Sequence, residues 1–133
     1  MNHSNTFPKS EHLCGETRIE QLFTKGKAFI AYPLRVVYSI QPNNNSEPIS
    51  VLVSVPKKRF KRAVKRNRLK RLMRESYRLN KHATVDMLIE NNLQLQIAFN
   101  YVSDEELDFI TIEKKMKVAL KRIQEIIKPP LAE

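Results

Sequence analysis

Apolar residues recur along the chain at two periods, and each switch of period marks an element. Ile19, Leu22 and Phe23 fall at helical spacing behind Thr17-Arg18-Ile19-Glu20, which has the form of a capping box, and Gly26 stands where the turn would end. A short helix is expected over about 17–25. AFIAYPLRVVYSI then turns to β-branched and aromatic residues broken by Pro33, predicting a short strand, a kink and a longer strand over 34–40. PNNNSEP, 42–48, is a loop by composition, and ISVLVSV, 49–55, alternates between a serine-bearing and an aliphatic face. The strands on either side of this loop are expected to pair as an antiparallel hairpin. Pro56 ends the second of them.

Beyond Pro56, KRAVKRNRLKRLMRESYR at 61–78 has helical periodicity, and ATVDMLIENN reads as a short helix or a continuation of it. LQLQIAFNYV, 93–102, is a strand pattern. Thr111 is placed to cap a last helix carrying Ile112, Met116, Ala119, Leu120, Ile123 and Ile127, which Pro129-Pro130 would stop. No repeat or second domain is visible. The expected organisation is a flexible polar segment at 1–12, one α+β domain over 13–128, and a tail at 129–133.

Charge changes this picture. The chain of 133 residues carries a net +10 at an ordinary apolar fraction of 41%. The excess is local: Lys57 to Lys81 holds thirteen Lys and Arg against one Glu, while the other 108 residues hold eleven basic and thirteen acidic side chains. A near-neutral domain thus carries one basic block. On a helix of 100° per residue, Leu69, Leu72, Met73 and Ser76 share one side, an apolar stripe suited to lying on a sheet. Asn67, Arg71, Arg74 and Arg78 occupy an arc of about 60° on the other side, over ~16 Å of axis. Guanidinium forks suit planar, bidentate contact with phosphate. A helix face built only for water mixes signs; this one does not, which points to a nucleic-acid surface. Tyr38, with Phe29 or Tyr32, adds aromatic faces of the kind that stack unpaired bases, which favours RNA over a DNA groove.

The string AVKRNRLKRLMRESYR, Ala63 to Arg78, with Arg66-Asn67-Arg68, Lys70-Arg71 and Arg74-Glu75, closely resembles the arginine-rich signature of the bacterial ribonuclease P protein family. Phe7-Pro8-Lys9 with Glu11 and Leu13, Leu22-Phe23 with Lys25-Gly26, Pro33-Leu34 to Tyr38, and Ser54 to Lys58 extend the resemblance over about 7–127. It implies a small α+β fold of order αβββαβα, a mostly antiparallel sheet with a left-handed βαβ crossover, as in a ribosomal-protein domain. It also implies a holoenzyme that removes the 5′ leader of precursor tRNA, with an RNA catalytic subunit that positions Mg²⁺ to activate water.

By position in that family, Arg66, Asn67, Arg68, Lys70, Arg71, Arg74 and Arg78 are expected to contact the RNA subunit. Phe23, Tyr38, Lys57 and Lys58 are expected to hold the leader. Two departures stand out. Ile19 occupies a position where many members carry a second cleft phenylalanine, and the turn KKRFKRAV is one residue longer than the common pattern and lacks its glycine.

Other classes find less support. His3, His12 and His82 lack metal-ligand spacing, and Cys14 has no adjacent base. Asp104, Glu105, Glu106 and Asp108 sit together before the last helix, where helix-entry electrostatics accounts for them better than a Mg²⁺ nuclease site. A ribosomal or general structural RNA-binding protein is the alternative reading. A membrane-surface helix would need a bulkier interfacial face than Leu69, Leu72 and Met73 provide. The N-terminus lacks a signal-peptide core, so a cytoplasmic protein is expected, with no membrane contact and no obligate protein partner.

Overall fold

The computed structural model describes Leu13, residues 16–43 and residues 47–127. The expectations for segments 1–12 and 129–133, for Cys14, and for the middle of the PNNNSEP loop lie outside the described residues. Eight elements follow in order: α1 (Glu16–Lys25), β1 (Lys27–Ala31), β2 (Leu34–Pro42), β3 (Ile49–Ser54), α2 (Ala63–Asn80), α3 (His82–Glu90), β4 (Leu93–Tyr101) and α4 (Phe109–Ile127). The α+β order agrees with expectation, except that the helical stretch after β3 divides into two helices at Lys81. Asn91 and Asn92 end α3; Asn92 takes a left-handed φ of 53°, a conformation its short polar side chain tolerates.

The four strands form one sheet in the order β1-β2-β4-β3, antiparallel except for the parallel pair β3–β4. The expected hairpin of β2 with β3 therefore does not exist. β2 turns instead onto β1, through a cis Tyr32-Pro33 bond, and β4 inserts between β2 and β3. The reason lies in burial: Ile97, Ala98 and Phe99 are all buried, so this segment needs cover on both faces and takes the centre. The loop after β2 is not a tight turn that could force a hairpin. Both of its ends bond to the β4 entry, Asn43 N to Asn92 O at 3.0 Å and Leu95 N to Pro48 O at 2.8 Å.

Alternation then builds two unequal cores. Val36, Val51, Leu95, Ile97 and Phe99 face α2, α3 and α4, which cover them with Leu69, Met73, Tyr77, Leu88, Ile112, Met116 and Ile123. On the other face Val37 and Ala98 meet Leu13 and Leu22, with Ile19 and Leu52 packed beside them. The α4 stripe is as predicted, but its cap is not: Asp108, rather than Thr111, stands outside the helix and its Oδ1 accepts from the Thr111 amide at 2.9 Å. The Thr111 side chain, and after it this amide, hold the Asp108 carboxyl below its usual range. At the other end of the chain α1 begins at Glu16, which puts Thr17 inside the first turn rather than at the cap.

Gly26 joins α1 to β1 where both press on β2. A Cβ there would collide with the Leu22 carbonyl oxygen and lie 2.9 Å from that of Tyr38. Backbone cannot yield as a side-chain tip can. Gly26→Ala is expected to lower unfolding stability by about 1–3 kcal/mol, read as a lower urea midpoint at unchanged slope; an unaltered midpoint would show that the crossing relaxes freely.

Candidate nucleic-acid interface

The strand-to-helix turn sets the direction of α2. Phe60 is buried with its ring 5.9 Å from Tyr101, so the longer, glycine-free turn is anchored by an aromatic side chain. Arg66 folds back on this turn, its Nη1 donating to the carbonyls of Phe60 and Lys61, both at 2.8 Å. Arg59 pairs with Asp104 at 2.9 Å and Lys65 with Glu106 at 3.5 Å. Two members of the acidic loop thus neutralise the base of the helix, while Asp108 caps α4. Each of these three carboxylates is thus engaged within the protein.

Along α2, Leu69, Met73, Ser76 and Tyr77 are buried and Leu72 half-buried. The inner stripe is therefore broader than the sequence reading by Tyr77, which lies four residues after Met73 and packs on Phe99 with centroids 6.2 Å apart. Ser76 is accommodated by donating to the Met73 carbonyl at 2.8 Å.

The outer face divides. Arg78 binds Glu75, with Nε 3.2 Å from Oε2, and this bond holds the Glu75 carboxyl below its usual range. Asn67, Arg68, Arg71 and Arg74 are exposed and Lys70 half-buried, and among the described residues none of the five has a hydrogen-bond or ion-pair partner. Of the seven α2 positions expected to meet the RNA subunit, five are thus free for a ligand, while Arg66 and Arg78 also serve the fold.

The leader positions do not all share one face of the sheet. Lys57 and Lys58 lie exposed in the turn after β3, and Phe23 is 42% exposed on α1. Tyr38 is elsewhere. Val37 lies beneath α1, so its neighbour points through the opposite face, where Tyr38 is 9% exposed with its ring 5.8 Å from Phe29. One residue of strand register decides this, and a strand of RNA cannot be gripped between Phe23 and Tyr38. Phe29 is also withdrawn, buried beneath the Arg122 guanidinium at 4.5 Å, whereas Tyr32 is exposed at the β1–β2 turn.

The α1 face offers other groups. Arg35 pairs with Asn100 across β2–β4, and Asn100 with Ser54 across β4–β3, a polar row leading toward Lys57 and Lys58. By 100° per residue, Phe23 lies on the flank of α1 opposite Gln21 and Lys25. The signal for this row was present as polar residues at alternate positions in otherwise apolar strands. Ile19 is half-buried in the cluster with Leu22 and Val37, so it packs rather than stacks. No described helix is long and apolar enough to cross a membrane.

Comparison with known proteins identifies the family and the fold. Residues 7–124 match the Ribonuclease P family. The ribonuclease P protein component of Porphyromonas gingivalis is 54% identical over 115 residues, 86% of this chain and 84% of that one. That of Clostridioides difficile is 32% identical over 116 residues, covering 87% and 94%. In fold, the RNase P protein from Thermotoga maritima superposes with a TM-score of 0.66 at 24% identity, covering 84% of this chain and 96% of that one. The Staphylococcus aureus RNase P protein gives 0.66 at 18% identity, covering 90% and 100%. The basic helix, the sheet that carries it and the match across nearly the whole chain together make this protein a member of the ribonuclease P protein family.

Proposed function

We propose that this chain is the protein subunit of a cytoplasmic ribonuclease P ribonucleoprotein. It docks on the catalytic RNA through the outer face of α2 and steadies the 5′ leader of precursor tRNA on the α1 face of the sheet. The observation that carries this reading is the unpaired ladder of Asn67, Arg68, Arg71 and Arg74 on a helix whose inner face is buried. Hydrolysis of the phosphodiester belongs to the RNA subunit, where RNA and substrate would hold the Mg²⁺ that supplies an activated water. The chain contributes cations that offset phosphate repulsion as the two RNAs come together, lowering the Mg²⁺ concentration the assembly needs.

For the leader, Phe23 offers a stacking face that accepts any base, and Lys57 and Lys58 follow the backbone. Arg35, Ser54 and Asn100 take the place on the sheet for which Tyr38 is turned the wrong way. With Ile19 engaged in packing, Phe23 is the sole aromatic on the described part of α1. Phe23→Ala is therefore expected to cut the preference for precursor over mature tRNA roughly tenfold, one stacked base being worth about 1–3 kcal/mol. RNA-subunit affinity should not move; an unchanged precursor preference would remove Phe23 from the leader path.

The deciding experiment is cleavage of precursor tRNA at low Mg²⁺ by a bacterial ribonuclease P RNA from the same organism, with and without the protein. Leader release stimulated only when both are present supports the subunit role. Cleavage by the protein alone would place an active site on this chain. No stimulation would favour a general RNA-binding role.

A further inference from the structure

A notch opens on the other flank of α1. Gly26 presses the chain against β2, and β1 pairing begins at Lys27–Tyr38, so Ser39, Ile40 and Gln41 extend past β1 with no β1 partner. The space left is a cavity of about 400 Å³ lined by Lys25, Lys27, Tyr38, Ser39, Ile40 and Ile126. A smaller one of about 140 Å³ adjoins it through Lys25 and Ser39, and adds the amides of Gln21, Gln41 and Gln96. Among the described residues, no carboxylate lines either cavity. Among the described residues neither Lys25 nor Lys27 has a hydrogen-bond or ion-pair partner.

The composition selects a ligand class. Two unpaired ammonium groups at the rim favour an anion without imposing the planar geometry of arginine. The Tyr38 ring, Ile40 and Ile126 give an apolar wall, and the hydroxyl and amides beside them give donors and acceptors. A volume near the lower end of small-ligand sites, roughly 300–1,000 Å³, suits one nucleotide. The location selects the source. The notch lies at the β1–β2 side of the sheet, whereas α2 departs from β3 at the opposite edge. An RNA docked on α2 would have to wrap the domain to reach it.

Building on the subunit role proposed above, we propose that this notch is a second substrate subsite, holding one nucleotide of precursor tRNA. Its phosphate lies between Lys25 and Lys27, and its sugar and base lie against Tyr38, Ile40 and Ile126. This site is separate from the Phe23 flank, and it gives Tyr38 a place in RNA recognition on the face where the strand register puts it.

The test uses the full chain assembled with ribonuclease P RNA, comparing Lys25→Gln/Lys27→Gln with Lys25→Arg/Lys27→Arg and the unaltered protein. The Gln pair is expected to weaken precursor-tRNA binding about fivefold and to flatten its salt dependence by about 0.7 log units per log unit, one lost single-strand phosphate contact. The Arg pair should restore both. RNA-subunit affinity and the circular-dichroism spectrum should stay as in the unaltered protein. Unchanged precursor affinity in the Gln pair would overturn the subsite, and a loss of RNA-subunit affinity instead would overturn its assignment to substrate. Failure of the unaltered protein to assemble with the RNA would overturn the subunit role itself, so the two failures are distinct.

Discussion

Replacing Arg71 and Arg74 together by alanine is expected to weaken binding to ribonuclease P RNA about a hundredfold. Both side chains are exposed and carry no protein partner, so nothing in the fold depends on them. A hydrogen bond from a charged group contributes about 1.5–3 kcal/mol, and at an exposed site the lower value applies to each, which together amount to about two powers of ten in affinity. The loss should shrink as salt rises, because the counterions released on binding fall by about 1.4 for two single-strand contacts. Titration at two ionic strengths measures both effects. A variant that loses its folded circular-dichroism spectrum would make these arginines structural, and one that binds as before would move the RNA off this face.

Met73→Ala, one residue before Arg74, is expected to do the reverse. Its side chain is fully buried among Leu69, Tyr77 and the sheet, and truncation leaves a cavity at the joint between helix and core. Such changes cost about 2–5 kcal/mol. At the few degrees per kcal/mol typical of a domain this size, the midpoint of thermal unfolding should fall by roughly 10 °C. RNA affinity of the folded protein, measured well below that midpoint, should stay near that of the parent. A midpoint shift under about a degree would mean that the core does not grip α2 at this turn. Adjacent residues, one governing affinity and the other stability, separate the two faces of one helix.

What the sequence revealed, and what it hid, follows from which forces are local. The α2 ladder and the α4 stripe were legible because helical periodicity and charge both act within a few residues. Tyr77 was missed because its hydroxyl disguises a large apolar ring. Asp108 was counted with its acidic neighbours, and only the position of the first turn of α4 shows it to be the cap. The β2–β3 pairing failed because adjacency in a sheet depends on a distant segment: nothing near residue 45 reports that 93–101 will come between. Tyr38 was parted from Phe23 by one place in strand register, a shift that composition does not record but that moves a side chain across the sheet. The α1-face row of Arg35, Ser54 and Asn100 needed the β2–β4 and β4–β3 registers before its members could be seen as neighbours.

The insertion of β4 between β2 and β3 also governs the order in which the molecule can be made. A ribosome releases the first three strands and the whole basic helix before the segment that joins β2 to β3. Until residues 93–101 emerge, β2 and β3 each present an open edge, and α2 has only part of the surface it is built to cover. Closure of the sheet is therefore a late event between parts distant in sequence, the kind that lengthens folding time. Through that interval the nascent chain already displays its arginines while its apolar stripe lacks a finished seat. A polyanion nearby could occupy the charged side first and hold the helix ready for the strand still to come.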